Sequence, residues 1–351
     1  MEKRIMVRLM PLILAAALLA GCGQTAVQTD GTAARGRTVV DMQGTEVTVP
    51  EVIENYAVAW AGDFDIAAMM DGCEHISAYP DTSLRFEKVM EVYPQLADCI
   101  ALPKENIAVE SILESGAQVV FLRQSDYPDL TRELRAANVP VVDLNFENYE
   151  ELKHAVELFA EVLNTQEARD KAALYTAYVD DTIAQVQEFV KFHPSDEEIT
   201  VLNFRDAVDF TAYSKDRLVG SWAELCGITY ALDTGNSTSN ITLTQEQILE
   251  YDPDYIFFTF PGNAEKLLAN ERLQSLTAVQ QGHVYDVPAV INSFAVNGTE
   301  AVLQMKWAIS LIWEGQTTFD LNVDIRDFYR TFFDLELSEE ETARILYEVN
   351  S

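Results

Sequence analysis

The chain has 351 residues, 48% of them hydrophobic and 23% charged, so it can bury a large core, and its length predicts two domains. This composition excludes a disordered or fibrous protein. The formal net charge is −33 at pH 7, from 57 acidic and 24 basic side chains. A field of that sign repels phosphate backbones and anionic lipid headgroups, which disfavours nucleic-acid binding as a function.

Residues 1–21 have the layout of a secretory signal peptide, with basic residues up to Arg8 and an apolar run over 9–20. The ending Leu19-Ala20-Gly21-Cys22 resembles the lipobox of bacterial lipoproteins, which implies cleavage before Cys22 and acylation of its thiol. An ordinary signal peptide with an incidental cysteine is the alternative. Residues 22–37 lack apolar periodicity and predict a flexible tether. We therefore expect an extracytoplasmic protein anchored to the cell membrane by lipid.

The first part of the mature chain predicts a hairpin followed by alternating strands and helices. Two β-branched runs flank Gln43-Gly44 and end at Pro50, which is typical of a hairpin. After it, β/α alternation favours a parallel sheet with helices on its faces. The predicted strands are 56–60, 75–79, 118–122 and 139–144, and the predicted helices are 64–70, 109–115, 130–137 and 149–163.

A long helix is predicted between the two halves of the chain. Residues 165–192 contain no Gly or Pro, and apolar side chains recur every three or four positions until Pro194. A helix of this length spans roughly 40 Å, longer than one small lobe is wide. We expect it to be a stiff rod shared by both halves, with little freedom to act as a hinge.

The β/α alternation restarts after this helix. Strands are predicted at 199–204, 255–260 and 283–287, helices at 221–226, 244–250, 265–268 and 299–313, and two amphipathic tail helices at 325–333 and 339–349. The predicted fold class is therefore α/β, with two Rossmann-like lobes bridged by one long α-helix and a ligand cleft between them. The predicted organisation is a first lobe at 38–164, a bridging helix at 165–193 and a second lobe with C-terminal helices at 194–351. The pattern leaves the role of the 314–351 tail open.

Several segments resemble one protein family. Residues 39–50 are similar to its entry hairpin, residues 106–113 with 118–121 to a first-lobe helix and strand, and residues 243–258 with 281–287 to the second-lobe version. The residues Ser115-Gly116, which precede the first-lobe strand, depart from the pattern that is usual in this family. Over residues 38–313 the chain resembles the substrate-binding proteins of ABC importers that carry iron–siderophore, haem or cobalamin. The resemblance implies two lobes, a helical bridge, a small-molecule ligand, and a permease with its ATPase as partners.

The ends of the predicted strands place aromatic and cationic side chains at the cleft. In open α/β sheets, ligands bind outside the carboxyl ends of the strands. Aromatic rings with one guanidinium from each lobe suit a bulky chelate that bears negative oxygens. For each residue alone, core packing or a solvated loop is an alternative. The candidate ligand-binding residues are Trp60, Tyr79, Arg123, Arg205, Tyr213, Trp222, Phe260 and Phe294, with Tyr127 on a nearby loop.

Two glutamates form a second candidate site. Asn106 resembles an N-cap, and Thr244 with Gln247 forms a capping-box pattern, so Glu110 and Glu246 each fall in the first turn of a helix. The resemblance implies that this pair, one per lobe, docks onto arginines of the permease. Compensation of the helix dipole would by itself account for either glutamate.

Bare metal capture and a structural disulfide have weaker support. The four histidines, His75, His154, His193 and His283, are scattered without ligand spacing, which disfavours direct binding of Zn or Mn. Axial haem ligation by Tyr or His stays open. Cys73 and Cys99 are the pairing closest in sequence, and buried free thiols are the alternative.

The sequence favours a lipid-anchored, monomeric capture protein rather than an enzyme. The predicted cargo is an iron chelate of siderophore type or a related macrocycle, with no resident cofactor. Cobalamin, haem or an oxyanion such as molybdate are alternative cargoes, and a secreted chelate-processing enzyme or an adhesin on the same fold are rival functions. No nucleotide-binding loop is found, so transport energy requires a separate ATPase.

Overall fold

The chain enters the fold through an antiparallel hairpin, as predicted. A computed structural model describes residues 36–195, 198–232 and 240–347. Strand β1 (Gly36–Val40) pairs with β2 (Glu46–Pro50), and Gly44 takes a φ of 76° in the loop between them. The signal peptide, the lipidation site and most of the tether lie outside the described residues, as do the last two residues of the predicted final helix.

The first half forms a five-stranded parallel sheet in the order β5-β4-β3-β6-β7. The predicted alternation is confirmed here, although helix α2 and strand β5 are too short to stand out in the sequence. Two 3-10 turns, Asp81–Arg85 and Pro94–Asp98, flank α2. The strands are β3 (Tyr56–Val58), β4 (Ile76–Pro80), β5 (Ile100–Leu102), β6 (Val119–Leu122) and β7 (Val141–Asp143), and the helices are α1 (Ala61–Asp71), α2 (Glu87–Val92), α3 (Val109–Ser115), α4 (Pro128–Ala136) and α5 (Tyr149–Leu163).

Both faces of this sheet are buried. In strand β6, Val119 and Phe121 pack into the large central core, whereas Val120 and Leu122 pack into a separate cluster beneath α3 and α4. Successive side chains of a strand point to opposite faces, so a strand of four apolar residues needs cover on both sides. The run Val-Val-Phe-Leu therefore specifies an interior strand of an α/β sheet.

Helix α6 (Gln166–Phe192) runs for 27 residues without a break between the two halves, as predicted. The Thr165 hydroxyl caps it by accepting the backbone N–H of Ala168 at 3.1 Å. At 1.5 Å per residue the helix is about 40 Å long. One face of it is buried, through Ala168, Ala172, Tyr175, Val179, Thr182, Val186 and Phe189.

The second half forms another α/β layer. Its parallel strands lie in the order β10-β8-β12-β13, and β9 and β11 extend the β8 edge in antiparallel fashion. The strands are β8 (Thr200–Phe204), β9 (Thr211–Ala212), β10 (Thr229–Tyr230), β11 (Ile241–Thr242), β12 (Tyr255–Phe258) and β13 (Val284–Asp286), and the helices are α7 (Leu218–Leu225), α8 (Gln245–Tyr251), α9 (Asn263–Leu268), α10 (Thr277–Gln281) and α11 (Ala301–Ile312).

The C-terminal segment returns to the first half. Helix α12 (Leu321–Phe333) packs against both α1 and α11 and buries the apolar face predicted for it. Helix α13 (Glu339–Tyr347) follows, and its Glu341 forms an ion pair with Lys88 of α2 at 3.1 Å. The molecule thus has two α/β lobes bridged by one long helix, which confirms the predicted fold class.

Three of the cysteines lie among the described residues. Cys73, Cys99 and Cys226 are free thiols, so the Cys73–Cys99 disulfide is not formed. Within the described ranges, none of the helices combines the length and the apolar character that crossing a bilayer requires.

Candidate functional site

A cleft opens where the carboxyl ends of the strands from both lobes meet. It encloses a cavity of about 270 Å³. The first lobe contributes the residues that follow β3, β4, β5 and β6, and the second lobe contributes those that follow β8, β9 and β12 together with the segment before α11. Side chains that line it include Trp60, Arg85, Phe86, Lys104, Arg123, Asp126, Tyr127, Arg205, Tyr213, Arg217, Phe260, Asn292 and Asn297.

The cleft is locally positive in a strongly acidic protein. Of the described residues, four arginines and Lys104 line it, against one carboxylate, Asp126. The chain as a whole has a formal charge of −33. Cations gathered against the overall charge raise the potential at this one place, which attracts anions to it.

Arg85 and Arg205 approach the cavity from opposite lobes. Arg85 ends the 3-10 turn after β4, and its guanidinium carbon lies 4.0 Å from the centroid of the Phe260 ring. Packing of this guanidinium lowers its pKa from the ordinary value, and the positive charge of Arg205 lowers it further. Among the described residues, neither arginine has a carboxylate within ion-pair distance. Within the described part of the chain, two cations from facing lobes thus lack a counter-ion.

The phenol of Tyr213 lies among these cations. Burial raises the pKa of Tyr213, and the hydrogen bond with Thr259 and the positive charges of Arg205, Arg217 and Arg85 oppose that rise. Three guanidiniums therefore lie close enough to influence a single hydroxyl. This part of the wall offers a dense set of N–H and O–H donors.

The remaining arginines are joined to a carboxylate behind the wall. Arg123 is buried and donates to Glu147 Oε1, while Arg217 Nε lies 3.5 Å from Glu147 Oε2. Asn297 Nδ2 donates to the same oxygen at 3.1 Å. These contacts orient both guanidiniums at the floor of the cleft.

Aromatic rings form the rest of the wall. The Trp60 ring packs 5.1 Å from Phe146 and lies 5.4 Å from the guanidinium of Arg123. Across the cleft, Phe86 and Phe260 approach each other with ring centroids 6.5 Å apart. Rings from both lobes supply flat apolar surface, and the arginines supply charge-assisted donors.

Five of the eight residues predicted to contact ligand line the cavity, and three do not. Trp60, Arg123, Arg205, Tyr213 and Phe260 lie in the wall, as does the loop residue Tyr127. The placement predicted for the other three is wrong. Trp222 is fully buried edge-on to Phe257, Phe294 is fully buried in the central core, and Tyr79 packs against Phe64.

These three differences have one physical reason. The strand-end rule locates a backbone position, but the direction of a side chain depends on which face of the strand or helix it occupies. A fully buried ring has no surface left to offer a ligand. The large aromatic residues near the strand ends were therefore divided between core and cleft by orientation alone.

The two glutamates occupy equivalent exposed positions. Glu110 is the second residue of α3, and Glu246 is the second residue of α8. The capping box of Thr244 and Gln247 is present, as predicted. The N-cap predicted at Asn106 is wrong, because Asn106 takes a left-handed φ of 58° and Ala108 caps α3 without a side-chain bond.

The histidines lie apart from the cavity lining. His75 bonds to Asp71 at 3.1 Å, His193 stacks on Phe189, and His283 stacks on Tyr255. In the part of the chain that the structure describes, no group of three or more His, Cys, Asp or Glu side chains is arranged to hold a metal ion.

Arg85 and Arg217 were missed from the sequence. Arg85 lies five residues beyond the last residue of β4, so the strand-end rule would have reached it had the short turn after Tyr79 been included. Arg217 precedes α7 as its N-cap residue. Nothing in its local sequence distinguishes it from an ordinary helix-flanking arginine.

Two α/β lobes around a cationic, aromatic cleft define a solute-binding protein of the two-lobed extracytoplasmic class. The comparison with protein families agrees with this classification. Residues 72–291 match the model of the family described as periplasmic binding protein, and the chain belongs to that family.

The similar proteins are solute-binding proteins. The uncharacterised ABC transporter substrate-binding lipoprotein YvrC of Bacillus subtilis is 24% identical over 79% of this chain and 87% of its own. The molybdate-binding protein MolA of Haemophilus influenzae is 19% identical over 88% and 94% of the two chains. A periplasmic solute-binding protein of Veillonella parvula superposes with a TM-score of 0.76 at 19% identity, covering 90% of this chain and 98% of that one.

Proposed function

We propose that the protein captures a small anionic iron chelate of siderophore type and delivers it to the permease and ATPase of an ABC importer. The single observation that carries this proposal is the pair Arg85 and Arg205, which face one cavity from opposite lobes and have no carboxylate partner among the residues that the structure describes. An anion between them would replace their mutual repulsion by two charge-assisted interactions. The flanking rings suit the planar donor groups of a chelate.

A molybdate-type oxyanion is the second candidate cargo. The cavity of about 270 Å³ lies just below the range of typical ligand pockets, which favours a compact ligand. A relative is named for molybdate binding. A bare oxyanion would use the arginines and leave the aromatic wall without a partner, and for that reason the chelate is preferred. Cobalamin and haem are larger and less suited to this volume.

Delivery would use the exposed Glu110 and Glu246. They occupy the second position of helices α3 and α8, one in each lobe, so a partner with two suitably spaced arginines could contact both. Anchoring through a lipid on Cys22 would keep the protein near that partner. A binding role without chemistry accords with the named relatives, which are substrate-binding proteins.

Isothermal titration of the full chain with ferric citrate and with molybdate tests the cargo. Arg85→Met and Arg205→Met should each weaken binding of the cargo about tenfold to hundredfold, because a hydrogen bond to a charged group contributes roughly 1.5–3 kcal/mol. Arg132→Met is the matched control, since Arg132 lies exposed on α4 and pairs with Asp129.

The outcomes separate the candidates. Tight binding of the ferric chelate with weak binding of molybdate supports the first proposal, and the reverse supports the second. Binding of cobalamin or haem with neither anion bound would refute an anion site. So would an unchanged affinity in both arginine variants.

A further inference from the structure

Glu147 is a buried carboxylate at the floor of the cleft. It follows strand β7 and directly precedes Asn148, the N-cap of α5. Its side chain is 11% exposed. Three side chains contact it: Arg123 through Oε1, and Arg217 and Asn297 through Oε2, at 3.5 and 3.1 Å.

The partners of Glu147 come from both lobes. Arg123 follows strand β6 of the first sheet, whereas Arg217 caps α7 and Asn297 precedes α11 in the second half. Asn297 also donates to the carbonyl of Phe146 at 2.8 Å. One carboxylate therefore connects the two halves through three residues that line the cleft.

The two guanidiniums contact two carboxylates at this point. They share Glu147, and Arg123 Nε also lies 3.6 Å from Asp126 Oδ1. Both arginines line the cavity. An arginine has five N–H donors, and Arg123 Nε is buried in ion-pair contact with Asp126 but makes no hydrogen bond among the described residues. Arg123 thus keeps donor capacity, and Glu147 contacts both guanidiniums.

We propose that Glu147 is a positioning residue: it holds Arg123 and Arg217 together across the two lobes and so presents the two guanidiniums to an anionic ligand. This inference rests on the proposed function, because it concerns the same site. Arg85 and Arg205 then form a pair without a carboxylate partner among the described residues, and Arg123 and Arg217 form a pair held by Glu147.

Charge alone and positioning predict opposite results when Glu147 is neutralised. Glu147→Gln keeps the size of the side chain and adds one positive charge to the site. On charge alone the anion should bind more tightly. If Glu147 positions the arginines, the anion should bind more weakly, because the two guanidiniums repel each other and the link between the lobes is lost.

The test is titration of ferric citrate and molybdate into the full chain and its variants. Affinity should fall in the order wild type, Glu147→Asp, Glu147→Gln, with a loss of about tenfold or more in the last. Glu147→Asp retains the negative charge but shortens the side chain by one methylene, so a loss of affinity in this variant reports the position of the carboxylate alone. Glu150→Gln is the matched control. Glu150 is exposed on α5, so this substitution removes the same charge outside the cleft.

A second measurement does not depend on the ligand. In hydrogen–deuterium exchange, Glu147→Gln and Glu147→Asp should speed exchange at residues 218–222 and 297–301, across the cleft from the substitution. Unchanged exchange there, or affinity in Glu147→Gln equal to or above wild type, overturns the inference. If wild type binds neither anion, the proposed function fails, and the exchange result still decides whether Glu147 links the lobes.

Discussion

Two buried carboxyl groups meet beneath the cleft and make the stability of the protein depend on pH. Asp65 of α1 and Glu300, which precedes α11, are both fully buried. Tyr329 of α12 donates a hydrogen bond to Glu300. Burial raises the pKa of Asp65 to about 8, and burial followed by the negative charge of Asp65 raises the pKa of Glu300 well above its ordinary value.

The sign of the pH effect follows from the direction of these shifts. An unfolded Asp loses its proton near its ordinary pKa of 3.8, whereas folded Asp65 keeps it until about pH 8. Between those values the folded state binds more protons, so the free energy of unfolding falls as pH rises. The slope for one proton is about 1.4 kcal/mol per pH unit. The stabilisation is complete below about pH 4 and is lost by about pH 8.

Asp65→Asn removes this titration. Because folded Asp65 keeps its proton between pH 3.8 and pH 7, the free energy of unfolding of the wild type falls by roughly 4 kcal/mol over that range. An amide at this position does not titrate, so the variant does not lose this stability. We expect the variant to match wild type near pH 4 and to exceed it by a few kcal/mol near pH 8.

Urea unfolding followed by tryptophan fluorescence at pH 4.5, 6.0 and 7.5 measures this difference. Asp129→Asn serves as the control, because Asp129 is exposed on α4. A difference between Asp65→Asn and wild type that stays constant across the three pH values would refute the reasoning, since it would mean that Asp65 does not titrate in this range in the folded protein.

Three further predictions concern packing, the C-terminal helix and docking. Gly298→Ala should destabilise the protein by about 1–3 kcal/mol in urea unfolding, because its Cβ would lie 2.1 Å from a carboxylate oxygen of Asp65. Lys88→Glu and Glu341→Lys should each lower the melting temperature slightly, and the double exchange should recover the part due to their ion pair, which is worth up to about 1 kcal/mol. Glu110→Ala combined with Glu246→Ala should leave ligand affinity unchanged but abolish uptake through the permease in proteoliposomes.

Each of these has a result that contradicts it. Wild-type stability of Gly298→Ala would mean that the segment before α11 can move away from α1. If the decreases in melting temperature were additive in the Lys88 and Glu341 double variant, the ion pair would not stabilise the contact between the C-terminal helix and α2. Full uptake by the Glu110 and Glu246 double variant would exclude their docking role.

Local patterns in the sequence predicted most of the elements. Helices α3 and α5 have the predicted bounds, and α6 is one residue shorter at each end than the predicted bridging helix at 165–193. These segments have strong periodicity and clear breakers, which act over a few residues and are visible in sequence. The N-cap at Asn106 was wrong because a turn residue with left-handed φ has the same composition as a cap.

The candidate site was only partly predictable. Trp60, Arg123 and Phe260 could be placed because they follow strands, and the carboxyl ends of parallel strands meet at one edge. Trp222 and Phe294 have the same residue types near the same loops, yet they face the core. Side-chain direction depends on the packing of neighbouring elements, which local sequence does not encode.

What the sequence by itself determined is the order of strands and helices, the uninterrupted α6 and the net charge of the chain, because each depends on composition or on contacts within a few residues. What only the tertiary structure decided is which charges meet. Arg85 and Arg205 are 120 positions apart, and Glu147 reaches Arg217 and Asn297 across 70 and 150 positions. Coulomb interactions depend on distance in space, so a chain of charge −33 can form a positive cleft that no count of its residues reveals.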